Sequence, residues 1–342
     1  REGLFLRFLF EKISKTTPLF LFDMKIIIPM AGRGTRLRPH TLALPKPLIP
    51  IAGKPMVQRI VEDLTAGYQG QIEEIAFVCG DFGKEVERAL VDIAERFGAA
   101  GKIYYQTQPL GVAHAIGCAA ESLEGNVFIA FSDTLFKADF QFDPNEDGVI
   151  WVKKVADPSH FGVVKVNEED IITDFVEKSP VFVSDLAIVG LYYVREGGYL
   201  RDEIRRLIEG NVKDKGEFQI TSVLENMKNQ GYRFRAAGIE EWLDCGNKQN
   251  IIDTNRRMLE IKSTRENLLA SSAIIENSTV IEPCFIGEGA RVVNSVVGPH
   301  VSVGQKSVIQ NSIVRNSVIQ GNTTVRNALF TNSMVGNHVD YE

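Results

Sequence analysis

With 342 residues the chain exceeds the usual size of one domain, and its 44% hydrophobic and 24% charged residues are the composition of a folded protein rather than a disordered one. A net charge of -6 argues against nucleic acid or an anionic membrane as partner, because both need a positive surface to replace released counterions. Four scattered cysteines, Cys79, Cys118, Cys245 and Cys284, form no C-x-x-C spacing and read as reduced residues of a cytoplasmic protein.

Residues 1–23 hold two apolar runs split by "EKISK", neither long enough to cross a bilayer, so they read as an extension outside the catalytic unit and no membrane partner is expected. From Lys25 onward, apolar runs without alternation, "KIIIPM", "EIAFVC" and "NVFIAFSD", fit strands buried on both faces of a parallel sheet. Helix-like segments at Met56 to Thr65, Lys84 to Phe97 and Gly111 to Ser122 lie between them, giving an α/β order. After Asp133 the pattern becomes mixed, with strand-like runs from Gly148, Phe161, Ile172 and Ala187 added around the same sheet. These elements form one expected unit over 24–250, followed by a polar helical connector over 251–269.

The last segment, 270–342, changes character. Aliphatic residues recur at Ile274, Val280, Ile286 and Val292, six apart, while Asn-Ser pairs recur at Asn277, Asn294 and Asn311, seventeen apart. Such periodicity signals a stacked repeat in which each inward aliphatic rests on its equivalent one coil below. The segment resembles the hexapeptide repeats of left-handed β-helices, with length for about four coils.

Strand "KIIIPM" delivers the chain to Ala31-Gly32-Arg33-Gly34, where glycine's freedom at positive φ lets several backbone N–H groups converge on one anion. Neither the third glycine of a dinucleotide fingerprint nor the Gly-Lys-Ser/Thr of a P-loop follows. Instead Pro45 and Pro47 fix Lys46 relative to the loop. Alone, these glycines could equally mark a structural turn. Asp133 could cap a helix, Asp244 could close a turn, Lys46 could be a solvated loop lysine, and Gln106 a polar strand end.

"GRGTRLRPHTLALPKP" is similar to the signature of the sugar nucleotidyltransferases, the nucleoside-diphosphate-sugar pyrophosphorylases. "YYQTQPLGVAHA", "FSDTLF", "FVEK" and "EWLDCGN" resemble further segments of that family in the same order, and members with a hexapeptide-repeat tail are known in it. The resemblance implies a Rossmann-like mixed-sheet nucleotidyltransferase domain followed by a short left-handed parallel β-helix. It implies an NTP and a sugar 1-phosphate as substrates, with glucose 1-phosphate favoured, and Mg²⁺ as cofactor. Ala31, Gly32, Gly34 and Thr35 would hold the triphosphate, Arg36 the departing pyrophosphate, and Lys46 the phosphate at the reacting centre. Asp133 and Asp244 would share the metal.

Gln106 and Gly111 would recognise the base, which favours dTTP or UTP; Leu110 and His114 are variations expected to leave the base undecided. Gly162, Glu177, Lys178 and Gly190 would form the sugar-phosphate pocket, although successive strand residues should point to opposite faces, leaving one of Glu177 and Lys178 structural. Ser132 and His40 depart from the family pattern, where glycine and leucine are usual. Two other readings compete with this enzyme: an inactive regulatory or scaffold homologue, and a bifunctional enzyme whose repeat transfers an acetyl group through His300 or His338. The repeat is otherwise expected to pack subunits into a homo-oligomer.

Overall fold

The computed structural model describes residues 23–32, 34–68, 70–138 and 142–342. The expected N-terminal extension, apart from Asp23, lies outside the described residues, as does Arg33 of the glycine loop.

In chain order the strands of the N-terminal unit are β1 (Met24–Pro29), β2 (Pro50–Ile51), β3 (Lys54–Pro55), β4 (Ile72–Cys79), β5 (Ala100–Tyr105), β6 (Asn126–Ala130), β7 (Thr134–Lys137), β8 (Gly148–Lys154), β9 (Gly162–Val166), β10 (Ile172–Glu177), β11 (Leu186–Val194), β12 (Phe234–Gly238) and β13 (Glu241–Asp244). β1 lies between β4 and β6, parallel to both, and β5 extends the parallel set beyond β4. β11 runs antiparallel to β6, β8 and β9, which makes the sheet mixed. Because successive strands leave β1 in opposite directions, a crevice opens at the carboxyl ends of β1 and β6.

The unbroken apolarity of β1 has a simple cause. Ile26 and Ile28 pack with Ile75 and Phe77 on one face, while Ile27 packs with Ala76 and Val78 on the other. Helices Met56–Gly67 and Lys84–Arg96 cover the first face, and Val112–Cys118, Gly197–Glu209 and Ile220–Asn229 the second. With both faces dry, each isoleucine contributes roughly 1.5–3 kcal/mol by burial.

The C-terminal segment is a left-handed parallel β-helix whose short strands stack into three sheets. Register places Ile275, Val292, Ile309 and Val325 in one inward column, Val280, Val297 and Val314 in a second, and Ile286, Val303 and Ile319 in a third. Ile274, expected to point inward, instead aligns with outward Arg291, because the step from the first inward column to the second is five residues rather than six. The recurrent asparagines turn the corners: Asn277, Asn294 and Asn311 have φ of 48°, 49° and 50°, a region asparagine tolerates better than most side chains. Each following serine ties one coil to the next, as Ser295 N–H donates to Ser278 Oγ at 3.0 Å and Ser312 N–H to Ser295 Oγ at 3.0 Å.

Helix Lys248–Lys262 starts ahead of the expected connector and is more than a spacer, since Ile251, Ile252, Asn255, Met258 and Leu259 on it are buried. Asn255 Oδ1 accepts from Ala52 N–H at 2.9 Å and from the Ser302 hydroxyl at 2.7 Å, so one amide joins the β2–β3 hairpin, this helix and the β-helix. Fully buried Arg59 donates to Ile51 O at 3.2 Å, Ala52 O at 2.5 Å and Glu266 Oε1 at 2.7 Å. The outward row Ser302, Val318 and Met334 is buried against the N-terminal unit, and Phe285, at its head, lies over Gly53, where a Cβ would stand 2.2 Å from the ring. The loop after β1 also reaches the repeat, because a Cβ on Gly336 would stand 3.6 Å from His40 Nδ1. Burial, then the charge of Lys248, holds the His40 imidazole below its usual pKa, so it is neutral at pH 7.

Asn255→Ala is expected to lower stability by about 2–4 kcal/mol, since it leaves a buried N–H and a buried hydroxyl unpaired. Ser302→Ala, which removes donor and bond together, should cost only about 1 kcal/mol. Thermal unfolding checks the pair; equal effects would contradict the shared acceptor.

Candidate active site

β1 ends at Pro29, and Met30 N–H donates to Val78 O at 2.8 Å before the chain enters the glycine loop. Gly34 has φ of 57° and caps the single turn Thr35–Leu37, anchored by buried Leu37. A Cβ at Gly34 would stand 3.0 Å from Thr41 Cγ2 and 3.1 Å from Lys46 Cβ, so both backbone conformation and close approach demand glycine. Gly32 differs: a Cβ there would meet no heavy atom within 4 Å, because the residue faces open space.

Gly32, Gly34, Thr35, Arg36, Lys46 and Asp133 line one cleft of about 340 Å³, together with Pro29, Met30, Pro47, Val112, Phe131, Ser132 and Gly246. Lys46 is not a solvated loop lysine. Its side chain is 11% exposed, and Nζ donates to Asp133 Oδ2 at 2.7 Å. Arg36 is exposed and has no acidic partner among the described residues, which leaves its guanidinium available to an incoming anion. Ala31 lies between two cleft residues without being part of the lining.

Asp133 precedes a strand and caps no helix, since β7 starts at Thr134. β7 and β13 pair antiparallel with Thr134 opposite Asp244, and Cys245 N–H donates to Asp133 O at 3.1 Å. Two aspartates 111 positions apart (244 − 133 = 111) thus meet at one end of a two-stranded ribbon. The carboxylate of Asp244 also closes a turn, accepting from Gly246 N–H at 3.0 Å and from the Asn250 side chain. Among the described residues no three His, Cys, Asp or Glu side chains converge. Asp133 and Asp244 would offer two carboxylates, hard oxygen donors that suit Mg²⁺, which keeps waters and takes phosphate oxygens, better than a metal needing a full protein cage. Burial pushes the neighbouring Cys245 thiol up to about 12.

Gln106 lies just past β5, held by its own N–H to Cys79 O at 2.9 Å. Its side-chain Nε2 stands 3.0 Å from Gly111 O and 3.0 Å from His114 Nδ1. Gly111 has φ of 113°, and a Cβ there would stand 2.6 Å from Phe218 O, so the loop can close against the segment 217–218 only with glycine. Burial lowers the His114 pKa and keeps the ring neutral at pH 7.

The residues expected for the sugar pocket form a second group beyond Phe131. Glu177, 9% exposed, accepts from the Thr221 hydroxyl at 2.9 Å and pairs with Lys178 Nζ at 3.2 Å. The opposite-face expectation for this pair fails because Lys178 has φ of 41°, which breaks the strand's alternation and turns both charges to one side. A Cβ at Gly162 would stand 3.0 Å from Glu177 Oε2. Gly190, at φ of 87°, makes room for another residue: a Cβ there would stand 2.6 Å from the ring of Phe131, which lines the cleft and packs on Tyr192 at 5.5 Å. Neither Phe131 nor Thr221 stands out in the sequence by type or spacing.

The nucleotidyl transferase family model matches residues 25–261. The low-salt glycan biosynthesis nucleotidyltransferase Agl11 of Haloferax volcanii is 30% identical over 84% of this chain and 84% of its own length. A glucose-1-phosphate thymidylyltransferase of Streptomyces antibioticus is 30% identical over 82% of this chain and 83% of its own. Among solved structures, a UDP-glucose pyrophosphorylase complexed with UDP-glucose superposes with a TM-score of 0.57 at 23% identity, covering 70% of this chain and 99% of that one, a likeness of fold.

Gly190→Ala is expected to cost about 1–3 kcal/mol through backbone strain and to displace Phe131, whose N–H bonds Gly190 O at 2.9 Å. Hydrogen exchange at the Phe131 amide should accelerate. Gly32→Ala, placed in open space, should leave both readouts unchanged.

Proposed function

The chain belongs to the nucleotidyl transferase family, and from that premise we propose that it transfers a nucleoside monophosphate from dTTP or UTP to glucose 1-phosphate, releasing pyrophosphate. The observation that carries this reading is the single cleft at the ends of β1 and β6, where a glycine loop, two cations and a carboxylate face the same space. A sugar-phosphate oxygen forms the new bond to the α-phosphorus as the bond to the β-phosphate oxygen breaks, and pyrophosphate takes the electron pair. The attacking oxygen is already ionised at neutral pH, so no general base is needed and the chain's task is positioning and charge neutralisation.

Backbone N–H groups of the Gly32–Thr35 loop would orient the triphosphate, Arg36 would balance the departing pyrophosphate, and Lys46 would exchange its carboxylate partner for a phosphate oxygen near the reacting centre. Asp133 and Asp244 would hold Mg²⁺, which supplies charge neutralisation on phosphate oxygens when bound. Gln106 would contact the base and Glu177 the sugar hydroxyls, with Lys178 at the sugar phosphate. The thymidylyltransferase named among the relatives supports dTTP and glucose 1-phosphate as first choices.

Neither competing reading gains from the geometry. Of the two candidates for acetyl transfer, His300 is engaged with Glu260 at 3.1 Å on the seam between the two units and His338 lies exposed, and a scaffold protein would have no use for a cleft that keeps Arg36, Lys46 and Asp133 together. No helix among the described residues is long and apolar enough to cross a membrane. The proposed substrates are free NTPs and sugar phosphates, which are cytoplasmic metabolites, and this supports a reaction in the cytoplasm. The uncharged outward row Thr279, Val296, Ile313 and Leu329, with Leu329 73% exposed, supports packing of the β-helix against a second copy.

A matrix of NTPs against hexose 1-phosphates, read by pyrophosphate release with Mg²⁺, tests the proposal; release with dTTP or UTP and glucose 1-phosphate is expected, and no release with any pair would overturn it. Lys46→Met should lower kcat/KM by roughly 100- to 1,000-fold, the scale of one lost transition-state charge contact, with the circular dichroism spectrum of the folded protein retained. EDTA should abolish turnover and added Mg²⁺ restore it.

A further inference from the structure

Gly111 O can only accept a hydrogen bond, so the Gln106 side-chain atom 3.0 Å from it must be the amide NH₂. The same NH₂ lies 3.0 Å from His114 Nδ1. Its second hydrogen therefore requires that ring nitrogen to be bare, which fixes the imidazole in its neutral form with the proton on Nε2. Gly111 O is itself held in place, since it also accepts Ala115 N–H at 3.1 Å in the first turn of the helix Val112–Cys118. The Cys118 thiol, 3.9 Å from the same Nδ1, is a weak competitor on the same helix face, and burial raises its pKa so that it stays protonated.

Both hydrogens of the Gln106 amide are thus consumed by the protein. What Gln106 can offer a ligand is its carbonyl oxygen alone, an acceptor.

We propose that His114 is a specificity-determining positioning residue: by holding the Gln106 amide with its oxygen outward, it selects bases that present a ring N–H and disfavours those with a bare nitrogen there. Thymine and uracil offer N3–H and guanine offers N1–H, whereas cytosine and adenine carry an unprotonated nitrogen at the matching position and would set two acceptors against each other. The inference rests on the assignment of Gln106 to the base. It also gives His114 a part in base choice that its sequence position alone does not suggest.

His114→Leu removes the acceptor and frees half of the amide's restraint, while His114→Gln can still accept through its own carbonyl. Equilibrium binding of dTTP, UTP, GTP and CTP, followed by steady-state kinetics, separates the outcomes. For His114→Leu the affinity ratio of UTP over CTP is expected to shrink about tenfold and KM for the preferred NTP to rise about tenfold, the effect of one hydrogen bond, with kcat within about twofold. His114→Gln should recover most of the ratio. Gln106→Ala serves as the reference. If Gln106→Ala leaves base preference unchanged, Gln106 does not read the base and the inference falls with it. If Gln106→Ala removes the preference and His114→Leu does not, or if His114→Leu lowers kcat with KM unmoved, the assignment to His114 is overturned while the nucleotidyl-transfer reading stands. Failure of the wild-type protein to bind any NTP would overturn both.

Discussion

One ion pair, Lys46 to Asp133, fastens the loop that follows β1 to the end of β6, and the cleft takes its shape from that closure. Everything else near it can be understood as a condition for the pair to form. Gly34 must be glycine so that the loop can pass against the Lys46 stem, Pro45 and Pro47 restrict where that stem starts, and the β7–β13 ribbon holds Asp133 from behind through its carbonyl. A lysine this enclosed is neutralised by its carboxylate partner. Under the proposed function the pair would be a placeholder for the charge that arrives with a ligand.

The two units share a single interior more than they share a linker. Asn255 accepts from both sides with one oxygen, Arg59 spans the hairpin and the end of the helix region, and Val318 and Met334 of the repeat belong to the same hydrophobic cluster as β1 and β4. Of the three faces of the β-helix, one is committed to this seam. A second carries the exposed pairs Arg291–Glu276 and Arg326–Asp340 and faces water, and the third presents the uncharged row Thr279, Val296, Ile313 and Leu329 with Arg315 at its margin. The asparagine and serine ladders run along its corners independently of what each face touches, so the stack holds its own geometry while the faces specialise.

Much of this was legible in the chain because the signals were local. The apolar run Lys25 to Met30 declared a strand buried on two faces, the glycine loop and the Pro-Lys-Pro segment declared a constrained cation, and the seventeen-residue recurrence declared stacked coils. Less local facts stayed hidden. Lys178 looks like a strand residue until its positive φ is known, and Ile274 falls one position short of the inward column because one step in each coil is five residues rather than six. The helix Lys248–Lys262 has a polar composition, yet its apolar positions and Asn255 are buried against both the N-terminal unit and the repeat, surfaces that only the folded chain brings together. The role of Gly190 was hidden for a similar reason: the residue it accommodates, Phe131, lies on another strand end.

The contact between His40 and Gly336 puts the beginning and the end of the chain into one piece of surface. Synthesis proceeds in one direction, so the loop carrying Arg36 and Lys46 leaves the ribosome long before the coil on which His40 rests has been made. A polypeptide cut short within the repeats would carry the complete set of cleft residues and lack the coil that lies beside His40.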